Sequence, residues 1–244
     1  MIAAILQPGY LPWLGFFEQM HRCGTFVLYD DVQYTKKDWR NRNRIKTKEG
    51  ILWLTVPVFG KNHRALKIKD ARIDNTQGWD QKHLRAIRYW YGSAPFFNHY
   101  FKELENIIGR GWDLLVDLDI ALIEWISSLL GLTRRIIRSS DLDLPQAANR
   151  QERIVQVCKA VGADELYDGQ SARDFVDTEY FFNHGIKVTF QEYRHPSYRQ
   201  LWMKENGFIP NLSIIDLILN HGPESLSILT GVYMKMPLPF IPPP

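Results

Sequence analysis

The stretch YTKKDWRNRNRIK, residues 34–46, sets six basic side chains and one acid into thirteen positions. Arg40, Arg42 and Arg44 recur at period two, with Asn41 and Asn43 between them and Trp39 immediately before. On a strand this spacing lines one face with guanidinium groups and the other with amides. Neither is an ordinary core face, so both need polar partners. A guanidinium grips a phosphate or carboxylate with two bonds, and the pattern points to an anionic ligand such as a nucleotide, a nucleotide sugar or an acyl-carrier phosphate. Two other partners fit the same charges. One is an internal network with Asp30 and Asp31 just upstream; the other is nucleic acid, whose backbone and bases are held by Lys, Arg and aromatics together. The near balance of 30 basic against 27 acidic residues, and the acids directly before the patch, weigh against nucleic acid.

Other reactive residue types gather at the predicted strand ends. Gln7-Pro8-Gly9-Tyr10 leaves a first strand and enters a helix near Trp13, where free backbone N–H groups favour an anion. Turn formation accounts for Gly9 and Pro12 equally well. Asp30 and Asp31 end a second strand, and because side chains alternate only one of them faces a crevice directly. Asp31 is the candidate catalytic carboxylate, and Asp30, with Gln33 beyond it, a candidate binding residue. Asp168-Gly169 followed by Ser171 makes a second strand-to-helix loop at the same sheet edge, and two such loops frame a crevice. His195, in YRHPSYRQ between Tyr193 and Tyr198, is the first choice of general base, its ordinary pKa lying near neutrality. A structural histidine before a proline is the competing account.

Asn211 precedes the last predicted helix, where an N-cap role would explain it. Asp216 stands among Ile214, Ile215, Leu217 and Ile218, so burial would oblige it to find a partner, with Arg42 or Arg44 the expected supplier. The expected site is therefore His195 and Asp31 as catalytic groups. Gln7, Tyr10, Trp13, Asp30, Gln33, Trp39, Asn41, Arg42, Asn43, Arg44, Asp168, Ser171, Tyr198, Asn211 and Asp216 are expected to bind substrate or anion. No HxxxH or HExxH spacing supports a metal, and no cofactor is required beyond an activated acyl donor or a nucleotide as co-substrate. Cys23 and Cys158, far apart and without metal spacing, read as buried small hydrophobes in a reducing compartment.

The elements that must hold these groups follow from the periods. IAAILQP reads as a strand, WLGFFEQMHRCG as an amphipathic helix, and TFVLYDDV as a second strand, a βαβ opening that predicts a parallel sheet. RNRIKT, GILWLTVPV and LKIKDARID alternate like antiparallel strands, with Lys48-Glu49-Gly50 as a hairpin turn. From Trp79 to about Leu132 the pattern is helical, and RQERIVQVCKAVG adds another helix. DELYDG and IKVTFQEY read as strands flanking a helix over 171–185, capped by Ser171. The fold expected is α/β: a Rossmann-like, mainly parallel core sheet with a β-hairpin extension and a helical insertion at about 79–160, in a single domain over 1–236. A proline-rich tail, 237–244, follows. The N-terminal apolar run is too short for a signal peptide, and DLLVDLDIALIEWISSLLG is interrupted by Asp117, Asp119 and Glu124, which exclude a membrane span. A cytoplasmic protein is expected.

LQPGYLPWLGFFEQM, FVLYDDVQYTKKDWRNRNRIKT, WLTVPV, YDGQSARDF, YRHPSYRQ and FIPNLSIIDLILNHG occur in the order that marks the WbqC-like protein family. The resemblance covers essentially the whole chain. Leu6 departs from it, since many members carry a histidine before the Gln-Pro pair. Members resemble gene products of bacterial O-antigen, lipopolysaccharide and other surface-polysaccharide clusters, and the resemblance implies a small-molecule transferase. The small size favours acyl or aminoacyl transfer to an amino sugar or amine over a glycosyltransferase using a nucleotide sugar. A non-catalytic sugar-nucleotide or RNA-binding module is the third alternative. The expected partner is a small phosphate- or carboxylate-bearing substrate, with an acyl carrier or tRNA as a further donor class.

Overall fold

The computed structural model describes residues 1–60 and 65–231. The proline-rich tail at 237–244 and His63 lie outside the described residues. The apolar run Ile2–Leu6 forms β1, and the prolines at 8 and 12 delay helix formation until α1, Leu14–Arg22. α1 buries Leu14, Phe16, Phe17 and Met20 and gives way to β2, Thr25–Leu28, parallel to β1. An antiparallel hairpin follows, β3 (Arg42–Thr47) and β4 (Gly50–Thr55), with Gly50 at φ 118° in its turn. Three helices, α2 (Trp79–Tyr91), α3 (Phe97–Ile108) and α4 (Leu115–Leu129), lead to β5, Arg135–Arg138. The chain continues through α5 (Arg150–Ala160), β6 (Glu165–Asp168), α6 (Thr178–Asn183) and β7 (Lys187–Phe190). Short helices α7 (Met203–Asn206), α8 (Ile215–His221) and α9 (Ser225–Leu229) end the described chain.

The central sheet runs β5-β2-β1-β6-β7, every neighbouring pair parallel. Numbering only its own strands along the chain, the order is 3-2-1-4-5, a doubly wound sheet whose direction of travel reverses at β1. Side-chain alternation sorts the two faces. Ala4, Phe26 and Leu28 pack with α1 and the α2–α4 layer, whereas Ala3, Ile5, Val27 and Tyr29 pack with α5 and Phe181 of α6. The protein is thus mixed α/β with a mainly parallel core sheet and an antiparallel hairpin, as the sequence implies.

Three local expectations are corrected. LKIKDARID, 66–74, forms a 3-10 turn at Ile68–Asp70 and isolated bridges from Lys67 to Gln33 and Ile73 to Val58, with no strand. The helix expected over 171–185 is a 3-10 turn at Gln170–Asp174 followed by α6, whose cap is Asp177, accepting from Tyr180 N–H at 3.0 Å. β5 has no counterpart in the sequence reading, because Arg135-Ile-Ile-Arg138 is too short to show a period.

Asp119 of α4 is fully buried and neither carboxyl oxygen has a hydrogen-bond partner among the described residues. Burial pushes its pKa well above the ordinary carboxylate value of 3.8, so the folded protein holds it as a neutral acid. On unfolding the carboxyl regains water and releases its proton at any pH above that ordinary value, so native stability falls as pH rises from there towards the folded pKa. Asp119→Leu, which keeps the branched shape, is expected to raise the melting temperature more at pH 8 than at pH 5. A gain independent of pH would show that the carboxyl is not neutral in the fold.

Candidate functional site

The carboxyl ends of β1, β2, β6 and β7 open on one cleft of about 1430 Å³. Small-ligand pockets commonly measure about 300–1,000 Å³, so this one has room for a substrate and a co-substrate together. It lies where the sheet reverses direction, the position at which open α/β sheets bind ligands.

The loop from β1 to α1 forms one wall and is locked from outside. A Cβ on Gly9 would come within 2.8 Å of Trp39 O, so only glycine lets the two segments meet. The same carbonyl accepts from Tyr10 N–H at 3.1 Å, and Asn43 Nδ2 donates to Leu11 O at 2.7 Å and Tyr10 O at 3.3 Å. Leu11 sits at φ 46°, a left-handed conformation that a branched side chain rarely adopts and that the flanking bonds must hold in place. The Asn-rich stretch therefore clamps this loop. The Tyr10 N–H is consequently engaged by protein, which corrects the expectation that backbone near Tyr10 would hold an anion.

The floor is polar. Gln19 of α1 and Gln191 after β7 are both buried and line the cleft; Gln19 Nε2 donates to Gln191 Oε1 at 3.1 Å, and Gln191 Nε2 donates to Glu18 Oε2 at 2.6 Å and Gly15 O at 2.9 Å. Tyr167 donates to Glu18 from the far side. Four groups on cleft-lining side chains have no hydrogen-bond partner among the described residues: Gln7 Oε1, Gln19 Oε1, the Tyr193 hydroxyl and Arg40 Nε. An unsatisfied buried polar atom costs about 1–3 kcal/mol, so four at one cleft amount to a standing demand for hydrogen bonds.

Two carboxylates reach the cleft in opposite electrostatic states. Burial acts to raise the pKa of Asp31, but hydrogen bonds from Ser139 and Arg153 and the Arg153 charge outweigh it and hold the carboxyl below its usual value. Asp168, at the end of β6, is raised by burial, which the Gly169 N–H at 2.7 Å and the charge of Arg150 offset only in part. A carboxyl with a raised pKa is the better proton acceptor when ionised, so Asp168 suits acid–base work and Asp31 suits holding Arg153. The opposite wall is cationic. Arg150 and Arg153 stand in the first turns of α5, Asn149 caps that helix by accepting from Glu152 N–H at 3.0 Å, and Lys67 and Arg40 complete the wall.

Of the residues expected from sequence, Gln7, Trp13, Asp31, Gln33, Trp39, Asn43, Asp168 and Ser171 line the cleft. The others lie elsewhere. Tyr10 is fully buried, its hydroxyl 2.9 Å from His83 Nδ1. Asp30 is held by Arg138 Nε at 2.8 Å and by Ser140 at both N–H and hydroxyl. Asn41 donates to Val56 O. Arg42 stacks on Trp53, 4.3 Å from the ring centroid, and Arg44 donates to Asn211 O at 2.9 Å. Asp216 accepts from Tyr91, Tyr198 and Gln200, which replaces the expected pairing with Arg42 or Arg44. His195 is outside the lining as well. Its Nδ1 lies 2.8 Å from Pro196 O, a pure acceptor, and its Nε2 accepts from Asn211 N–H at 3.2 Å, so both ring nitrogens are occupied. Asn211, at φ 56°, is a turn residue and not a helix cap; Ser213 Oγ accepts from Ile215 N–H at the start of α8.

Sequence reasoning missed Gln19, Lys67, Arg150, Arg153 and Gln191 as lining residues, and used Tyr193 only as a neighbour of His195. One signal was available: two arginines in the first turns of a helix oppose its dipole and need an anion nearby. Among the described residues no cluster of His, Cys, Asp and Glu could hold a metal, and no helix is long and apolar enough to cross a membrane. Burial raises both thiols, Cys23 to about 11 and Cys158 to about 12, so neither is an effective nucleophile.

The sequence pattern of the WbqC-like protein family matches residues 7–228. An uncharacterised protein of Mycobacterium tuberculosis (strain ATCC 25618 / H37Rv), Rv1507c, is 40% identical over 224 residues, covering 91% of this chain and 94% of that protein. No solved structure matches the chain.

Proposed function

Since the chain belongs to the WbqC-like protein family, we propose that it is a group-transfer enzyme whose cleft joins an activated acyl or aminoacyl group to the amine of a small acceptor. The reading places it in the cytoplasm, in surface-polysaccharide or related small-molecule assembly. The observation that carries it is Asp168: a carboxyl with a raised pKa at a sheet's switch point, beside unpartnered amide and phenol groups and opposite a cationic wall.

In the reaction the amine lone pair attacks the acyl carbon. The bond from that carbon to the donor's leaving group breaks, and the leaving group departs with the electron pair. Asp168 accepts the proton that the nitrogen must lose and can return it to the leaving group. Gln7, Gln19 and Tyr193 supply hydrogen bonds that orient the acceptor, and Arg150, Arg153 and Lys67 offset negative charge on the bound substrates. Asp31, bound to Arg153, fixes that guanidinium.

Glycosyl transfer from a nucleotide sugar is a second reading, supported by the 3-2-1-4-5 strand order, which places the cleft where such sheets take nucleotides. A product survey separates the two. The protein would be incubated with amino sugars and acyl-CoA, acyl-adenylate or aminoacyl-tRNA donors, and in parallel with nucleotide sugars and hydroxyl acceptors, with products read by mass. An acyl mass gain on the amine supports the first reading, a hexose mass gain supports the second, and no product from either set overturns both.

A further inference from the structure

The cleft is divided by charge. On the β6 side the Asp168 carboxyl makes a single hydrogen bond, accepting at Oδ1 from the N–H of its own neighbour Gly169, which leaves Oδ2 without a partner among the described residues. Unpaired acceptors on Gln7 and Gln19 and the free Tyr193 hydroxyl belong to the same floor, and Gln19 is 4% exposed. That is an environment for a ligand rich in N–H and O–H donors. A cationic amine fits Asp168 best, since a charged hydrogen bond is about twice as strong as a neutral one. On the α5 side Arg150 stacks on Phe175, 4.8 Å from the ring centroid, and enters no ion pair among the described residues. Lys67 faces the same cleft and likewise enters none. Arg153 is already matched by Asp31. Two cations without an ion pair among the described residues therefore line the cleft, one of them, Arg150, in the first turn of α5, where helix geometry adds partial positive charge.

Asp168 and Arg150 line the same cleft, so one ligand that spans it can reach both. The cleft volume, about 1430 Å³, leaves space for a donor beside it.

We infer that the acceptor carries its amine and a phosphate on the same molecule, the amine seated at Asp168 and the phosphate at Arg150 and Lys67. This deepens the proposed function and rests on it for the word acceptor, while the binding claim stands without turnover. Two sources supply this chemistry: a nucleotide-linked amino sugar and a simple amino-sugar phosphate.

Calorimetry on the full chain with UDP-glucosamine, UDP-glucose, glucosamine 6-phosphate and glucosamine tests it. Amine-bearing phosphates should bind about tenfold to a hundredfold more tightly than UDP-glucose or glucosamine, the range expected when one charge-assisted hydrogen bond is made or missing. Tighter binding of UDP-glucosamine assigns the nucleotide-linked source, and tighter binding of glucosamine 6-phosphate the simple one. Asp168→Asn should erase the preference for the amine while keeping affinity for phosphate. Arg150→Gln should weaken both phosphates and leave the amine preference intact, with unchanged melting temperatures verifying both folds. Equal affinity for UDP-glucose and UDP-glucosamine, or no binding of any probe, overturns the inference. If the amine preference is found but no acyl product forms, the transfer reading fails and this one holds. Efficient acylation of phosphate-free glucosamine would have the reverse meaning.

Discussion

Replacing Asp168 with asparagine is expected to lower the transfer rate by about 10²–10⁴-fold, the range for loss of a general base. The substitution preserves shape and can keep the contact with Gly169 N–H, so the melting temperature should barely move. The pH profile supplies the sharper readout. Because burial raises the Asp168 pKa, the wild-type rate should climb with pH through a range above the ordinary carboxylate value of 3.8, as the carboxyl loses its proton and becomes a base. In Asp168→Asn that acid limb should vanish. His195→Ala belongs in the same experiment: both its ring nitrogens are bonded outside the cleft, so its rate should stay within a few-fold of wild type. A large loss in His195→Ala with an intact limb in Asp168→Asn would return the proton to the histidine.

Asp216→Ala is expected to cost about 3–5 kcal/mol of stability, the range for breaking a buried charged network by removing one member. Asp216 Oδ1 accepts from Tyr91 at 2.7 Å, and Oδ2 from Tyr198 and Gln200 at 2.9 Å each. Lys46 joins through Gln200, its Nζ donating to Gln200 Oε1 at 3.1 Å, and its backbone N–H donates to the Tyr91 hydroxyl at 2.9 Å. Truncation would leave two phenols, an amide and, indirectly, an ammonium in a dry interior. For a chain of this size the loss corresponds to a melting temperature lower by about 6–20 °C. Asp216→Asn, which can serve only part of the donors, should fall between. A loss under about 1 kcal/mol in the alanine variant would mean that water enters and satisfies the hub.

Legibility in the sequence tracked how local each cause is. The doubly wound opening was readable because IAAIL, the amphipathic α1 and TFVL each show their period within one element. β5 was not, since four residues flanked by arginine carry no period and owe their strand to pairing with β2. At the site, Gln7, Asp31, Asp168 and Ser171 could be placed because strand ends in a parallel sheet converge on one edge. Arg42, Arg44 and Asp216 could not, because a charge pattern gives residue types and not partners. Asp216 found tyrosines and a glutamine, Asp30 and Asp31 found Arg138 and Arg153 from beyond the helical layer, and Arg42 found the face of Trp53. The basic stretch met an internal scaffold more than it met the cleft, with Trp39, Arg40 and Asn43 as the members that reach it.

The central position of β1 has a consequence for how the chain is made. Its first partner, β2, follows within a few tens of residues, but its other edge pairs with β6, where Ile2 meets Glu165. During synthesis at about 5–20 residues per second, that edge therefore waits roughly ten to thirty seconds for its partner to be translated. An unpaired edge made of Ile2, Ala3, Ala4 and Ile5 is a template for pairing with other chains. The nascent protein thus passes through a sticky interval set by topology, and a slowed ribosome lengthens that interval.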